Sequence, residues 1–249
     1  MEPRQFIFQF SQDKQMKIRT ILRHILTPIP GGEWLMDLWR KERWSLQTWL
    51  KRRRLQKCGL EILQKVGQTL TRHPKAVYHA DYGTLLGIVR ENGFIRHDDD
   101  IDFSVYDGTI TPHDLYSAMI GEGFAFLRGF RYGGVVTELA FVYKKVSVDF
   151  FYVYNSAKGN YSQVYNDFRS DKDCDRAYFA ERLAKPRLSR IETFYMKGVK
   201  VNVPENKVEF LKYAYGSGWA VPVKTWKRED GDLAKRKVLP GCAEIFHSL

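Results

Sequence analysis

The segment from Gly93 to Phe103, GFIRHDDDIDF, constrains the fold of this chain more than any other stretch. Four aspartates fall within five residues of it: Asp98, Asp99, Asp100 and Asp102. If the backbone from Asp100 is extended, alternate side chains point to opposite faces of a strand. Ile101, Phe103 and Val105 then share an apolar face, and Asp100, Asp102 and Ser104 share the other. The pattern predicts a strand with one face in the core and a pair of carboxylates on the other.

Two carboxylates on one strand face lie about 6.5 to 7 Å apart at the backbone, so both can converge on one bound cation. Without a cation, like charges this close repel and raise one another's pKa. Hard oxygen ligands of this kind favour Mg²⁺ or Mn²⁺. The alternative interpretations of the acidic run are a solvated loop and a passive Ca²⁺ site.

Two further features favour the metal site. Asp149 stands among apolar residues in VSVDFFYV, and a buried lone carboxylate is costly unless it is paired or binds metal. The strand with Asp100 and Asp102 is its obvious partner. Upstream, YGTLLG places Gly83 and Thr84 at a predicted strand-to-helix turn, where backbone N–H groups and a hydroxyl readily bind phosphate.

The pattern along the chain predicts a mixed α/β domain preceded by a helical arm. Short strands and turns follow from residue 75, and Lys144 and Lys145 join two strands like a hairpin. Thr111 is a predicted N-cap with Pro112 in the first turn, and Pro204 is predicted to open a last helix that ends at Gly216. We therefore predict an arm at residues 1–74 and an α/β catalytic domain with a mixed sheet at residues 75–249.

The arm carries most of the positive charge. The chain has a formal net charge of +11, and residues 1–57 hold 13 Lys and Arg against 5 acidic residues. This excess indicates an anionic partner, which could be a phosphorylated substrate, nucleic acid or an acidic membrane surface. Four tryptophans recur every five residues in the arm: Trp34, Trp39, Trp44 and Trp49. They would pack on the main domain or lie at an anionic membrane surface.

Cysteine usage and hydropathy bear on the compartment. The three cysteines, Cys58, Cys174 and Cys242, are too few and too scattered for a disulfide framework. No run approaches the roughly 18 apolar residues of a membrane-spanning helix. We therefore expect a reducing, cytoplasmic setting, with the arm peripheral on the inner membrane face.

Taken together, the Gly-Thr turn, the Asp-x-Asp strand and the later aspartate resemble the nucleotidyltransferase fold. More closely, DYGTLLGIVRENGFIRHDDDIDF resembles the signature of the LicD family, which includes bacterial phosphocholine transferases and the fukutin-related proteins. The later EFLKYAYGSGWAVP is similar to a C-terminal element of that family. The resemblance spans Val77 to Pro222 and does not cover the arm.

The resemblance implies a transferase that moves a phospho-alcohol from a CDP-activated donor to a sugar hydroxyl of a cell-surface or lipid-linked glycan, releasing CMP. By position, Asp100 and Asp102 would bind the metal, Asp98 would assist at the edge of the site, and Asp149 would be a ligand or a base. Gly83 and Thr84 would cradle donor phosphate. Arg90 would stabilise phosphate charge or form a salt bridge to the acidic loop.

The chain departs from the family pattern before the aspartates, where Arg96 and His97 replace a usual proline and aromatic residue. This departure bears on donor selectivity, and both residues are candidate substrate contacts. Two other functions stay open. A nucleotidyltransferase that moves NMP onto a sugar, protein or RNA would use the same metal strand. A nucleic-acid-binding module would use the basic arm and would not need the aspartates.

Overall fold

The structure, a computed structural model, describes residues 32–157, 159–167, 178–223 and 236–249. The first 31 residues of the predicted helical arm lie outside the described residues, as does Cys174. So do the side chains of Trp34, Trp39 and Trp44. Within the described residues, no helix combines the length and apolar character needed to span a bilayer.

The chain divides into two compact units, Met1–Arg53 and Arg54–Leu249. Helix α1 (Gly32–Thr71) crosses this division. Its second half buries an apolar stripe at helical spacing in the core of the second unit: Leu55, Ile62, Leu63, Val66 and Leu70. The predicted domain boundary between residues 74 and 75 stays a prediction.

Three shorter helices follow within the described residues: α2 (Tyr82–Glu91), α3 (Pro112–Gly121) and α4 (Lys207–Tyr215). The strands of the same residues are β1 (Tyr78–Ala80), β2 (Asp100–Tyr106), β3 (Ala125–Tyr132), β4 (Val135–Tyr143), β5 (Val146–Ser156), β6 (Gly159–Asp167), β7 (Tyr178–Lys185), β8 (Ile191–Met196), β9 (Val199–Pro204) and β10 (Arg236–Phe246). This composition confirms the predicted α/β class with a mixed sheet.

The main sheet has the strand order β1-β2-β5-β4-β3-β10-β7-β6, and β5 also pairs with β6. This extra pairing closes six strands, β3, β4, β5, β6, β7 and β10, into a ring. The pair β2 and β5 is parallel, whereas the other pairs of this sheet are antiparallel. Strands β8 and β9 form a separate antiparallel hairpin.

Strand β5 is the centre of this arrangement because it contacts three other strands. Its first part lies between β2 and β4, and its last residues turn to pair with β6. One face of β2 and β5 is the core: Phe103 and Phe150 stack with ring centroids 5.3 Å apart. The opposite face of the same strands is left for polar side chains.

Several local predictions are confirmed. The strand DIDFSVY has the predicted bounds, and Thr111 caps α3 by accepting a hydrogen bond from the Asp114 N–H at 3.1 Å. Lys144 and Lys145 both have positive φ at the hairpin turn between β4 and β5, as a tight turn between twisted strands requires.

Two local expectations are wrong. Pro204 is the last residue of β9 and does not open a helix, because α4 begins at Lys207 after Asn206. Cys242 is disulfide-bonded, whereas Cys58 is a free thiol. The expectation that the cysteines are reduced therefore fails at Cys242.

Candidate active site

The acidic strand and the lone aspartate meet where β2 pairs with β5. In this parallel pair Asp102 lies directly beside Asp149. Ile101 and Phe103 are buried beneath them, which confirms the alternation predicted for β2. Asp100, Asp102 and Asp149 each offer one carboxylate oxygen, and these oxygens all lie within 4.8 Å of one another. The structure thus brings together the three residues predicted to bind metal.

The chemistry of this triad fits a divalent cation. Burial, followed by the charges of Asp100 and Asp149, raises the pKa of Asp102 well above its usual value. A cluster of carboxylates in this environment is unfavourable as three anions, and a divalent ion would remove the repulsion. Three hard oxygen donors suit Mg²⁺ or Mn²⁺. Ser147 also donates a hydrogen bond to Asp149 Oδ1 at 2.7 Å, which orients that carboxylate.

Asp98 lies against the N-terminal turn of α2. A Cβ built on Gly83 would stand 2.6 Å from both carboxylate oxygens of Asp98, closer than real Cβ contacts come. The absence of a side chain at Gly83 therefore allows Asp98 to reach the edge of the site. This close approach is a structural role for Gly83, separate from the phosphate contact predicted for it.

Thr84 lies elsewhere than predicted. Its side chain is buried, and its hydroxyl accepts a hydrogen bond from the Asp102 backbone N–H at 2.9 Å. Thr84 does not belong to the lining of the cavity described below. The hydroxyl therefore fixes the strand that carries Asp102, and it does not face the space available to a donor phosphate.

Arg90, Arg96 and His97 all line the cavity beside the aspartates. The Arg90 guanidinium pairs with Glu91 at 2.7 Å and donates a hydrogen bond to the Trp219 carbonyl oxygen at 3.3 Å. Its ion-pair partner is thus a neighbour on α2, not the acidic loop. The contact with Trp219 holds the segment after α4 against the cavity wall.

The cavity has a volume of about 930 Å³, and its lining includes all three members of the triad. Part of the lining comes from α2, the acidic loop and the segment around Trp219. Another part comes from ring strands that contribute Phe130, Tyr165, Tyr178 and Arg236. Seven of the lining residues are Phe, Tyr or Trp and ten are charged, so the cavity suits an organic ligand that carries charge.

Glu138 and Arg128 also line this cavity, although no sequence motif pointed to them. Arg128 Nη2 lies 3.1 Å from Glu138 Oε1 and 3.6 Å from Asp149 Oδ2. Burial and the charge of Asp149 raise the pKa of Glu138 to about 8, although Arg128 acts in the opposite direction. Glu138 stands in the apolar strand VVTELAFVY, so the argument used for Asp149 could have found it.

A buried ion pair beneath the site was also missed. Lys185 Nζ lies 2.6 Å from Asp81 Oδ2, and both side chains are about 95% buried. Asp81 Oδ1 accepts a hydrogen bond from the Tyr82 N–H at 2.8 Å and so caps α2. Ser104 donates a second hydrogen bond to Asp81. Burial is the largest single influence and acts to raise the pKa of Asp81, but the charges of Lys185 and His79 and the hydrogen bonds from Lys185 and Ser104 together outweigh it and hold that pKa below the usual value.

Lys185 links the ring to the Asp-x-Asp strand. It is the last residue of β7, and its ammonium lies 3.8 Å from the centroid of the Tyr82 ring. Tyr82 begins α2 with a positive φ of 46°, a strained conformation for a bulky residue. The network of Lys185, Asp81 and Tyr82 therefore fixes the turn that precedes Gly83.

Comparisons with known proteins agree with this geometry. No curated protein matched the chain. A family model described as LicD/FKTN/FKRP, nucleotidyltransferase domain, matches residues 75–206, which is more than half of the 249-residue chain. The match includes β1 to β9 and every predicted site residue. The chain therefore belongs to the LicD/FKTN/FKRP nucleotidyltransferase-domain family.

Proposed function

We propose that this transferase is a metal-dependent phosphotransferase. It would move a phospho-alcohol, such as phosphocholine or a polyol phosphate, from a CDP-activated donor to a sugar hydroxyl of a cell-surface or lipid-linked glycan. Membership of the family supports the transferase class. The observation that carries the proposal is the triad of Asp100, Asp102 and Asp149 in the wall of a cavity of about 930 Å³, because carboxylates grouped in this way can hold a divalent ion beside a bound phosphate donor.

The triad would hold Mg²⁺ or Mn²⁺. When bound, the cation supplies positive charge that neutralises the donor diphosphate and the leaving CMP. Asp98 lies at the edge of this site, held against Gly83. Asp149 serves as a ligand or as the base, since it stands beside Asp102 and is also oriented by Ser147.

The reaction is a substitution at phosphorus. The acceptor hydroxyl oxygen forms a bond to the phosphorus that carries the alcohol. The bond from that phosphorus to the bridging oxygen breaks, and CMP leaves with the electron pair. The hydroxyl proton passes to a carboxylate of the cluster and then to solvent. In such transfers the protein contributes mainly positioning and charge stabilisation.

Donor binding would use the part of the cavity wall that α2 and the acidic loop form. Arg96 and His97 are exposed residues of that loop and line the cavity. They stand where other family members have a proline and an aromatic residue, so we assign donor selectivity to them. Arg90 would add positive charge near the diphosphate while it remains tethered to Trp219.

The first unit would bring the enzyme to an anionic membrane surface. In α1, Leu46 and Trp49 are more than half exposed, and the Arg53 guanidinium lies 5.3 Å from the Trp49 ring centroid. Exposed apolar and aromatic residues mixed with basic ones suit a headgroup interface. Co-sedimentation with anionic vesicles but not with neutral ones would support this contact, and equal behaviour with both would refute it.

The proposed reaction is tested by incubating the protein with Mg²⁺ or Mn²⁺, a panel of CDP-alcohols and glycan acceptors. Mass spectrometry should detect free CMP and an acceptor that has gained the phospho-alcohol. An acceptor that instead gains the nucleotide monophosphate would establish the nucleotidyltransferase alternative. Salt-sensitive binding of DNA or RNA without turnover would favour a nucleic-acid-binding module.

A further inference from the structure

Arg128 lies between two buried acids at the wall of the cavity. Its guanidinium is 3.1 Å from Glu138 and 3.6 Å from Asp149. The Glu138 and Asp149 side chains are 4% and 9% exposed, whereas that of Arg128 is 30% exposed. Arg128 is therefore the member of this cluster with most access to the cavity, and it is already in contact with a member of the triad.

The strand register explains how Arg128 reaches Asp149. Ala140 of β4 is the direct neighbour of Arg128 on one side and of Asp149 on the other. The three residues form a row across β3, β4 and β5, and the outer strands of such a row are about 9.6 Å apart. Because Ala140 has only a methyl group, the long Arg128 side chain can cross above it.

Irregular pairing between β3 and β4 also determines the direction of the Arg128 side chain. The register of β3 against β4 shifts between Phe126 and Arg128, and again between Phe130 and Arg131. Bulges of this kind bend a strand and redirect its side chains, often next to active sites. Arg128 is thus placed by two local distortions and a small neighbour.

The charges around Arg128 change when a cation binds. Without a cation, the guanidinium offsets the negative charge of Asp149. A divalent ion at the triad would take over that role and would repel the guanidinium, so the contact at 3.6 Å would weaken. The shorter contact to Glu138 keeps the side chain at the cavity wall, where its remaining N–H donors can bind an anion. Arginine suits this task because its planar fork pairs with carboxylate and phosphate at the same time.

We propose that Arg128 is a phosphate-binding residue of this site, which exchanges Asp149 for the donor diphosphate when the metal binds, with Glu138 as its fixed partner. This assignment rests on the proposed function, since it takes a diphosphate donor as the ligand. It also makes Arg128 a competitor of the metal and a partner of the diphosphate. The two effects have opposite signs, which a purely structural role would not produce.

The test measures binding without turnover. Calorimetry with Mn²⁺ alone, and then with inorganic pyrophosphate at saturating Mn²⁺, is carried out on wild type and on Arg128→Met, which keeps the aliphatic stem. Loss of the competing cation should tighten Mn²⁺ binding about fivefold or more, in the range typical of coupled sites. Loss of the charged guanidinium, a hydrogen-bond donor to phosphate, should weaken pyrophosphate binding about tenfold or more.

Two further variants complete the test. Arg131→Met is the matched control, because Arg131 is on the same strand but pairs with the exposed Glu244; both affinities should stay at wild-type values. Arg128→Lys keeps the charge but loses the fork. It should leave Mn²⁺ affinity within about twofold of wild type while pyrophosphate binding falls, since Lys cannot hold both partners in the same way. This variant decides the question if Arg128→Met fails to fold.

The outcomes are distinct. A fall in Mn²⁺ affinity in folded Arg128→Met, or unchanged pyrophosphate affinity in either variant at position 128, would overturn the assignment. If no CDP-alcohol is turned over but the binding results are as expected, the proposed donor is refuted, whereas the role of Arg128 in metal and diphosphate binding stands. Turnover of CDP-alcohols with unchanged pyrophosphate binding in the variants would support the proposed donor and overturn the role of Arg128.

Discussion

Asp102 of β2 and Asp149 of β5 are direct neighbours in a parallel strand pair, although they are 47 positions apart in the chain. Only this pairing converts two separate acidic features into one cluster with Asp100. The strand pair therefore creates the site, and residues that fix its position control the geometry of the carboxylates.

Thr84 is one of these residues, so its hydroxyl should matter for stability. In Thr84→Val, the Asp102 N–H loses its acceptor in a buried setting, and an unsatisfied buried donor costs about 1–3 kcal/mol. Thr84→Ser keeps the hydroxyl and is the matched control. Urea denaturation should show the larger loss for Val. Equal stability of the two variants would show that the hydrogen bond is not needed.

Gly83 should control the position of Asp98. In Gly83→Ala the new Cβ would collide with the Asp98 carboxylate, which must turn away. The fold should persist, since alanine is the better helix former by about 1 kcal/mol. Mn²⁺ affinity should fall if Asp98 assists at the edge of the metal site. Gly121→Ala in α3 meets no atom within 4 Å and should leave Mn²⁺ affinity unchanged, so equal effects at both positions would contradict this role.

Lys185 should be required for folding at neutral pH. In Lys185→Met, Asp81 is left buried without its cation, which costs about 3–5 kcal/mol for a buried pair. The matched control is Lys144→Met, because the pair of Lys144 and Glu61 is about half exposed; its loss should cost at most about 1 kcal/mol. Chemical denaturation at pH 7 compares the two. Similar losses would contradict the structural importance of the buried pair.

The same pair predicts a pH dependence. The pKa of Asp81 is lowered in the folded protein, so the folded state binds fewer protons at this group than the unfolded state does. Stability from Asp81 is then fully present above its unfolded pKa of about 3.9 and is lost as the pH falls through the folded pKa. In Lys185→Met, burial without the cation raises the pKa of Asp81 instead, so the stability difference between wild type and this variant should narrow as the pH falls from neutral toward the lowered wild-type pKa of Asp81. A difference that stays constant to lower pH would show that Asp81 is not the group involved.

Local patterns predicted the parts of the site that depend on neighbouring residues. Alternation along β2 gave the faces of Ile101 and Asp102, since side-chain direction in a strand follows from sequence spacing. Burying a lone carboxylate such as Asp149 is costly, and this cost indicated that Asp149 lies beside the strand with Asp100 and Asp102. Thr84 was misplaced because a hydroxyl at a helix start has the same pattern whether it faces a ligand or a neighbouring strand.

Long-range contacts could not be read from the sequence. Lys185 and Asp81 are 104 residues apart, and nothing local distinguishes Lys185 from the many surface lysines. Closure of the ring depends on β5 pairing with β6 and on β10 pairing with β3 and β7. These pairings are set by tertiary packing. The row of Arg128, Ala140 and Asp149 exists only once three strands are in register.

The central claim is that the carboxylates of β2 and β5 bind a catalytic divalent ion. The most direct test is Mn²⁺ titration, followed by the CDP-alcohol assay, of wild type, Asp102→Asn and Asp99→Asn. The two variants lose the same charge three positions apart, but only Asp102 belongs to the triad. We predict that Asp102→Asn folds and loses both Mn²⁺ binding and turnover, whereas Asp99→Asn retains both. Mn²⁺ binding and turnover retained in Asp102→Asn would contradict the claim.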